Sequence, residues 1–174
     1  MNEIAAQPFV SATRGILDFR GVLSDILADF QNRRGRQLRV SVGTDSEEIG
    51  AFVKYVTVVH VWRVGRGARA YRIEAFEPFT SASRRGTSRF RERLWREVLL
   101  TATLAQELRS ALREALGDAF LDDLEVHADI GLQGGSSVMI REIIGMLKGY
   151  GFADELIKLK PEAYAASTVA DRYI

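Results

Sequence analysis

The sequence predicts a mixed α/β domain in which a five-stranded sheet is covered by helices on both faces. Three observations lead there. Apolar residues recur with a period near two in some stretches and with spacings of three and four in others. Three strand-like segments follow one another before any helix intervenes, and each later strand-like segment is followed by a helical one. A chain of 174 residues, 47% hydrophobic and 27% charged, suits a single packed unit.

The elements run as follows. From Thr13 to Phe30 the residues Ile16, Phe19, Val22, Leu23, Ile26, Leu27 and Phe30 recur at helical spacing, and Asn32–Arg36, with Gly35, stops that amphipathic helix. This helix and its connector make an N-terminal segment, residues 1–36, ahead of a domain spanning 37–174, the two forming one structural unit. Leu38–Thr44 alternates as a strand, Asp45–Gly50 reads as a turn, and the β-branched and aromatic run 53–63 reads as a long strand. Gly65-Arg66-Gly67 makes a hairpin into a third strand near 69–76. A helix over Thr87–Leu116 is stopped by Gly117; then come a strand at Leu124–Ile130, a glycine- and serine-rich loop at Gly131–Ser137 and a helix at Val138–Tyr150. A short strand at Leu156–Leu159 and a last helix at Ala165–Tyr173 complete the order β-β-β-α-β-α-β-α after the N-terminal helix. The helices after the fourth and fifth strands imply crossovers, so those strands should run parallel to the first.

Composition excludes several chemistries. The chain has no cysteine, which removes disulfides, thiolate zinc sites and cysteine nucleophiles, and its two histidines disfavour a multi-histidine metal site. Residues 1–8 hold no basic leader followed by an apolar stretch, and no uncharged run approaches the roughly 18 residues of a spanning helix, so a cytoplasmic protein with no membrane partner is expected.

The net charge of +1 conceals an asymmetry. Ten arginines and three acids lie between Arg63 and Arg96, a local +7. Of 24 cations only Lys54, Lys148, Lys158 and Lys160 are lysine. Arginine's planar fork grips phosphate with two hydrogen bonds, which suits a nucleic-acid partner; base composition of the genome explains the same bias equally well.

Four acids sit where a carboxylate is locally awkward. Asp45 follows an apolar strand among the small residues Gly43, Thr44 and Ser46, either beside a ligand or simply opening a turn. Asp129 closes the fourth strand just before the glycine-rich loop, at the strand end where α/β sheets collect ligands. Glu97 lies about 60° from Leu94 around its helix, on the flank of the apolar stripe, where it needs a cation, a hydrogen bond or an arginine partner. Asp171 stands three residues from the end, a place where most acids are solvated. His127 shares a strand face with Asp129 and reads as a structural histidine or a helper to a ligand; His60 reads as core. Tyr71 and Trp62 could stack on bases but read more readily as core aromatics.

The phrases Val42-Gly43-Thr44-Asp45-Ser46, Gly65-Arg66-Gly67-Ala68-Arg69, Glu125–Gly131 and Lys160–Tyr173 resemble the bacterial ribonuclease H-like family that includes YkuK, from about Ile16 onward. The resemblance implies an RNase H-like fold and a carboxylate from each of four elements: Asp45, Glu97, Asp129 and Asp171, with Glu92 as the substitute if the helix register differs. These would bind Mg²⁺ or Mn²⁺, two ions with substrate present, and hydrolyse phosphodiester bonds in RNA, an RNA–DNA hybrid or branched DNA. Arg66, Arg69, Arg84, Arg85 and Arg89 would then form a positive track for the phosphate backbone, against the alternative of a solvated basic face paired with acids elsewhere. Two other functions fit the same residues: a non-catalytic nucleic-acid-binding module, or an oligomeric interaction scaffold in which the N-terminal helix pairs across a homodimer.

Overall fold

The β-branched and aromatic run Val53–Trp62 forms the middle of an extended strand, and the chain's other strands assemble around it. A computed structural model describes residues 3–32, 37–79, 86–117, 124–131 and 139–174. In order these form β1 (Phe9–Ser11), β2 (Gly15–Leu17), α1 (Phe19–Gln31), β3 (Leu38–Ile49), β4 (Phe52–Arg63), β5 (Gly67–Pro78), α2 (Gly86–Leu116), β6 (Leu124–His127), α3 (Ile140–Gly149) and β7 (Ile157–Lys158). A π-helical segment, Ala165–Ala170, and a 3-10 turn, Asp171–Tyr173, close the chain.

The sheet has seven strands rather than five, in the order β2-β1-β5-β4-β3-β6-β7. β3, β4 and β5 form an antiparallel meander, while β6 and β7 run parallel to β3. The two additional strands are the β1–β2 hairpin, which pairs with β5 through Val10 opposite Arg72. Residues 15–17 therefore belong to a strand, and the N-terminal helix starts later than its periodicity suggests. Ile16, counted with the helical stripe, is 76% exposed. The helix begins where Asp18 accepts a hydrogen bond from the Gly21 N–H at 2.8 Å, satisfying an amide that would otherwise lack a partner.

A second correction concerns β3. The segment expected as a turn after Thr44 continues as strand to Ile49, each residue paired across to β4 as far as Phe52. The turn falls instead at Gly50, whose φ of 63° is the left-handed conformation that glycine adopts without penalty. Asp45 is thus a mid-strand residue opposite Val56.

Alternation along β3 sorts the two faces. Val40, Val42, Thr44 and Ser46 face α2, where Val22 and Ile26 of α1, Leu104, Leu108 and Leu112 of α2 and Ile143 and Leu147 of α3 join them in the main core. Burying one such leucine or isoleucine contributes about 1.5–3 kcal/mol. The opposite face carries the C-terminal helix, with Ala170 packed on Val56 and Val58. Among the described residues, no helix is long and apolar enough to cross a membrane.

Candidate functional site

Four contacts seat the C-terminal helix over β3 and β4. A β-carbon at Gly43 would lie 2.5 Å from the Ala166 nitrogen and 2.9 Å from the Ala165 carbonyl carbon, so glycine is what permits this approach. The buried His127, opposite Gly43 in the parallel β3–β6 register, accepts the Ala165 N–H at Nδ1, 3.0 Å away. That fixes its tautomer: Nε2 carries the proton and donates to Glu125 at 3.1 Å. The Tyr164 ring stands edge-on to His127 and His60, at 4.5 and 5.3 Å, and Lys54 donates to the Tyr173 carbonyl. His127 is therefore a structural residue that holds the first turn of the helix.

This seating brings Asp171, itself solvent-exposed, near enough for its charge to act on Asp45. The strand expected over Leu124–Ile130 ends at His127, and Asp129 sits in a tight turn closed by the Ile130 N–H donating to the Ala128 carbonyl at 2.8 Å, from which its carboxylate acts on Asp45. Burial pushes the Asp45 carboxyl up to about 6; the Ser46 N–H, donating at 2.8 Å, pulls it down, and the neighbouring Asp129 and Asp171 push it up again.

Glu97 arrives from the other face. Its helix is held on β3 by two hydrogen bonds one helical turn apart: Thr101 donates to Thr44 at 2.8 Å, and the Ser46 hydroxyl donates to the Glu97 carboxylate. Thr44 continues this hydroxyl chain to Thr57 at 3.0 Å. Glu97 is only 7% exposed, and burial pushes its carboxyl up to about 8, with Asp45 and Asp129 adding to the rise. The partner that satisfies it is a serine rather than an arginine.

Positive charge reaches these carboxylates from two sides: Arg93 acts on Asp45 and Glu97, and Lys160 lies against Asp129. Backbone hydrogen bonds from Ala128 N to Lys158 O and from Lys160 N to Ile130 O, both 3.0 Å, lay the residues after β7 alongside those after β6. The Lys160 ammonium then sits 2.9 Å from Asp129 Oδ1 and also feels Asp45 and Asp171. The set of four carboxylates, with an ammonium standing in for a cation, has the hard oxygen chemistry that Mg²⁺ or Mn²⁺ takes. As the side chains stand, no group of three or more His, Asp or Glu residues among those described is arranged to hold an ion. Glu97 is turned to Ser46 and Asp129 to Lys160, so both would have to let go of a partner to join a shared ion.

The arginines divide. Arg84 and Arg85, like the glycine-rich loop beyond Gly131, lie outside the described residues. Arg69 is bound to Asp29 at 3.1 Å and to the Tyr71 hydroxyl at 3.3 Å, tying β5 to α1, and the Arg89 guanidinium lies 4.4 Å over the Phe79 ring. Arg66 is exposed in the β4–β5 turn. Arg63, Arg72, Arg91, Arg93 and Arg96 each pair with an acid, so much of the local positive charge is balanced inside the fold. Tyr71 is fully buried core.

Two functional candidates were not singled out in the sequence, Ser46 and Lys160. A serine two residues after a buried threonine, on the strand face that meets Glu97, was the available signal for the first. For the second it was one of four lysines, placed where a strand parallel to the Asp129 strand ends.

Comparison with known proteins agrees with this architecture. The family model described as Ribonuclease H-like matches residues 21–174. The chain is similar to the uncharacterized protein YkuK of Bacillus subtilis (strain 168), 25% identical over an alignment 177 residues long that takes in 95% of each chain. No solved structure matches it.

Proposed function

The chain belongs to the ribonuclease H-like family, and on that premise we propose that it is a divalent-metal-dependent phosphodiester hydrolase acting on RNA, an RNA–DNA hybrid or branched DNA. One observation carries the reading: Asp45, at mid-strand, lies in the fields of carboxylates from three other elements, Asp129, Asp171 and Glu97. Gathering so many carboxylates at one place is costly unless they take up protons or share cations, and a divalent ion would offset that cost most fully.

Mg²⁺ or Mn²⁺ held by these carboxylates would supply an activated water and charge stabilisation at the leaving oxygen, giving a 5′-phosphate and a 3′-hydroxyl. The chain's own residues provide position. The Ser46 N–H fixes one oxygen of Asp45, and the Ser46 hydroxyl orients Glu97, so a single residue sets two of the four carboxylates. His127 and Gly43 hold the helix that carries Asp171. Arg66, exposed at one end of the sheet, is the candidate contact to a phosphate backbone among the described members of the proposed track.

The test is cleavage of end-labelled RNA, hybrid and branched DNA with Mn²⁺, with Mg²⁺ and with chelator, by wild type and by Asp45→Asn. Metal-dependent cleavage that falls at least a hundredfold in the folded variant supports the proposal. Binding of nucleic acid that needs no metal, survives the substitution and produces no cleavage would replace it with a binding module.

A further inference from the structure

We propose that Lys160 is a tethered counter-cation of the carboxylate edge, one that a divalent ion must displace, so that its ammonium sets how tightly the site takes up metal. The inference rests on the metal-dependent reading above. The Lys160 ammonium lies 2.9 Å from Asp129 Oδ1, and Asp45 and Asp171 also act on it electrostatically. One of the four candidate ligands is thus already in contact with a cation that belongs to the chain, and two more lie in its field.

The anchoring is unequal along the residue. The Lys160 backbone is fixed to Ile130 by the N–H to carbonyl bond of 3.0 Å, which keeps the lysine beside Asp129. Its side chain is 50% exposed against 17% for Asp129, so the ammonium can swing into water while the carboxylate stays. An ammonium and a divalent cation on the same carboxylate oxygen repel each other strongly, so the two alternate rather than coexist. Lysine suits such exchange: its point charge lets go one oxygen at a time, whereas arginine would grip the carboxylate with two parallel hydrogen bonds. Twenty of the chain's 24 cations are arginine, and the one at this position is not.

The experiment is Mn²⁺ titration calorimetry at low ionic strength on the full chain, wild type against Lys160→Met and Lys160→Arg, with melting curves in chelator and in Mn²⁺. The methionine variant is expected to bind Mn²⁺ about tenfold tighter than wild type. It should also melt lower than wild type in chelator and recover when Mn²⁺ is added. The arginine variant should bind no tighter than wild type. Equal affinity in wild type and Lys160→Met overturns the proposal and leaves the metal reading intact. Weaker uptake in Lys160→Met makes the lysine a support of the site and overturns it also. Absence of uptake in all three overturns both. Should Lys160→Met fail to fold, Lys160→Gln, which keeps a polar contact to Asp129 without the charge, carries the same expectations.

Discussion

Gly43 and Ala166 meet so closely that a β-carbon on the glycine would lie 2.5 Å from the alanine's backbone nitrogen. The C-terminal helix, and Asp171 with it, lies against β3 because residue 43 has no side chain. Gly43→Ala is expected to cost about 1–3 kcal/mol, read from urea unfolding, because backbone and not a flexible side chain would have to move. The same substitution should reduce cleavage beyond what the lost stability explains, since it displaces one of the four carboxylates.

The histidines make stability fall towards acid. Burial holds His60 down to about 4 and lowers His127, whose Nδ1 must stay unprotonated to accept the Ala165 N–H. In the unfolded chain both titrate near 6.5, so between that pH and about 4 the unfolded state binds more protons. Their contribution is complete above about pH 6.5 and lost as pH falls. Urea unfolding at pH 7 and pH 5 should show this decline, and His60→Phe, which cannot titrate, should flatten it. His127→Ala leaves the Ala165 amide without its acceptor and is expected to cost about 1–3 kcal/mol at pH 7.

The carboxylates act in the opposite direction. With Glu97 pushed up to about 8 and Asp45 to about 6, the folded state holds protons that the unfolded chain has released. The stability they contribute is complete below about pH 4 and lost as pH rises to those values, at about 1.4 kcal/mol per pH unit for one buried carboxyl. Glu97→Gln keeps an acceptor for the Ser46 hydroxyl and cannot ionise. In chelator it should therefore be more stable than wild type, by a margin that grows from pH 5 to pH 8. Mn²⁺ should narrow that margin by stabilising wild type alone.

Arg66 and Arg69 should separate binding from folding. Arg66→Ala, at an exposed turn, is expected to leave the urea midpoint unchanged while weakening nucleic-acid affinity and lowering its salt dependence by about one phosphate contact. Arg69→Ala breaks the link from β5 to Asp29 on α1, so it should lower stability by about 1–3 kcal/mol and leave that salt dependence unaltered.

What the sequence conveyed well was whatever a periodic pattern encodes. The long helix carrying Glu97, its phase against Leu94 and the succession of strands are set by side-chain spacing, and the burial of Glu97 follows from that phase. What it concealed depends on partners distant along the chain. Glu47 and Glu48 are poor strand residues, yet they extend β3 because Lys54 and Val53 lie opposite them in β4. The β1–β2 hairpin is only three residues on each strand, too short for alternation to show, and exists because β5 offers it an open edge. Ser46 and Lys160 become functional candidates only when tertiary structure sets them against Glu97 and Asp129, residues 51 and 31 positions away in sequence.

Anomalous diffraction from crystals soaked in Mn²⁺ tests the central claim most directly. The account predicts a manganese peak bonded to Asp45 and Asp129, with the Lys160 ammonium withdrawn from Asp129 Oδ1. A map without manganese at Asp45, in which Lys160 still lies on Asp129, would contradict it.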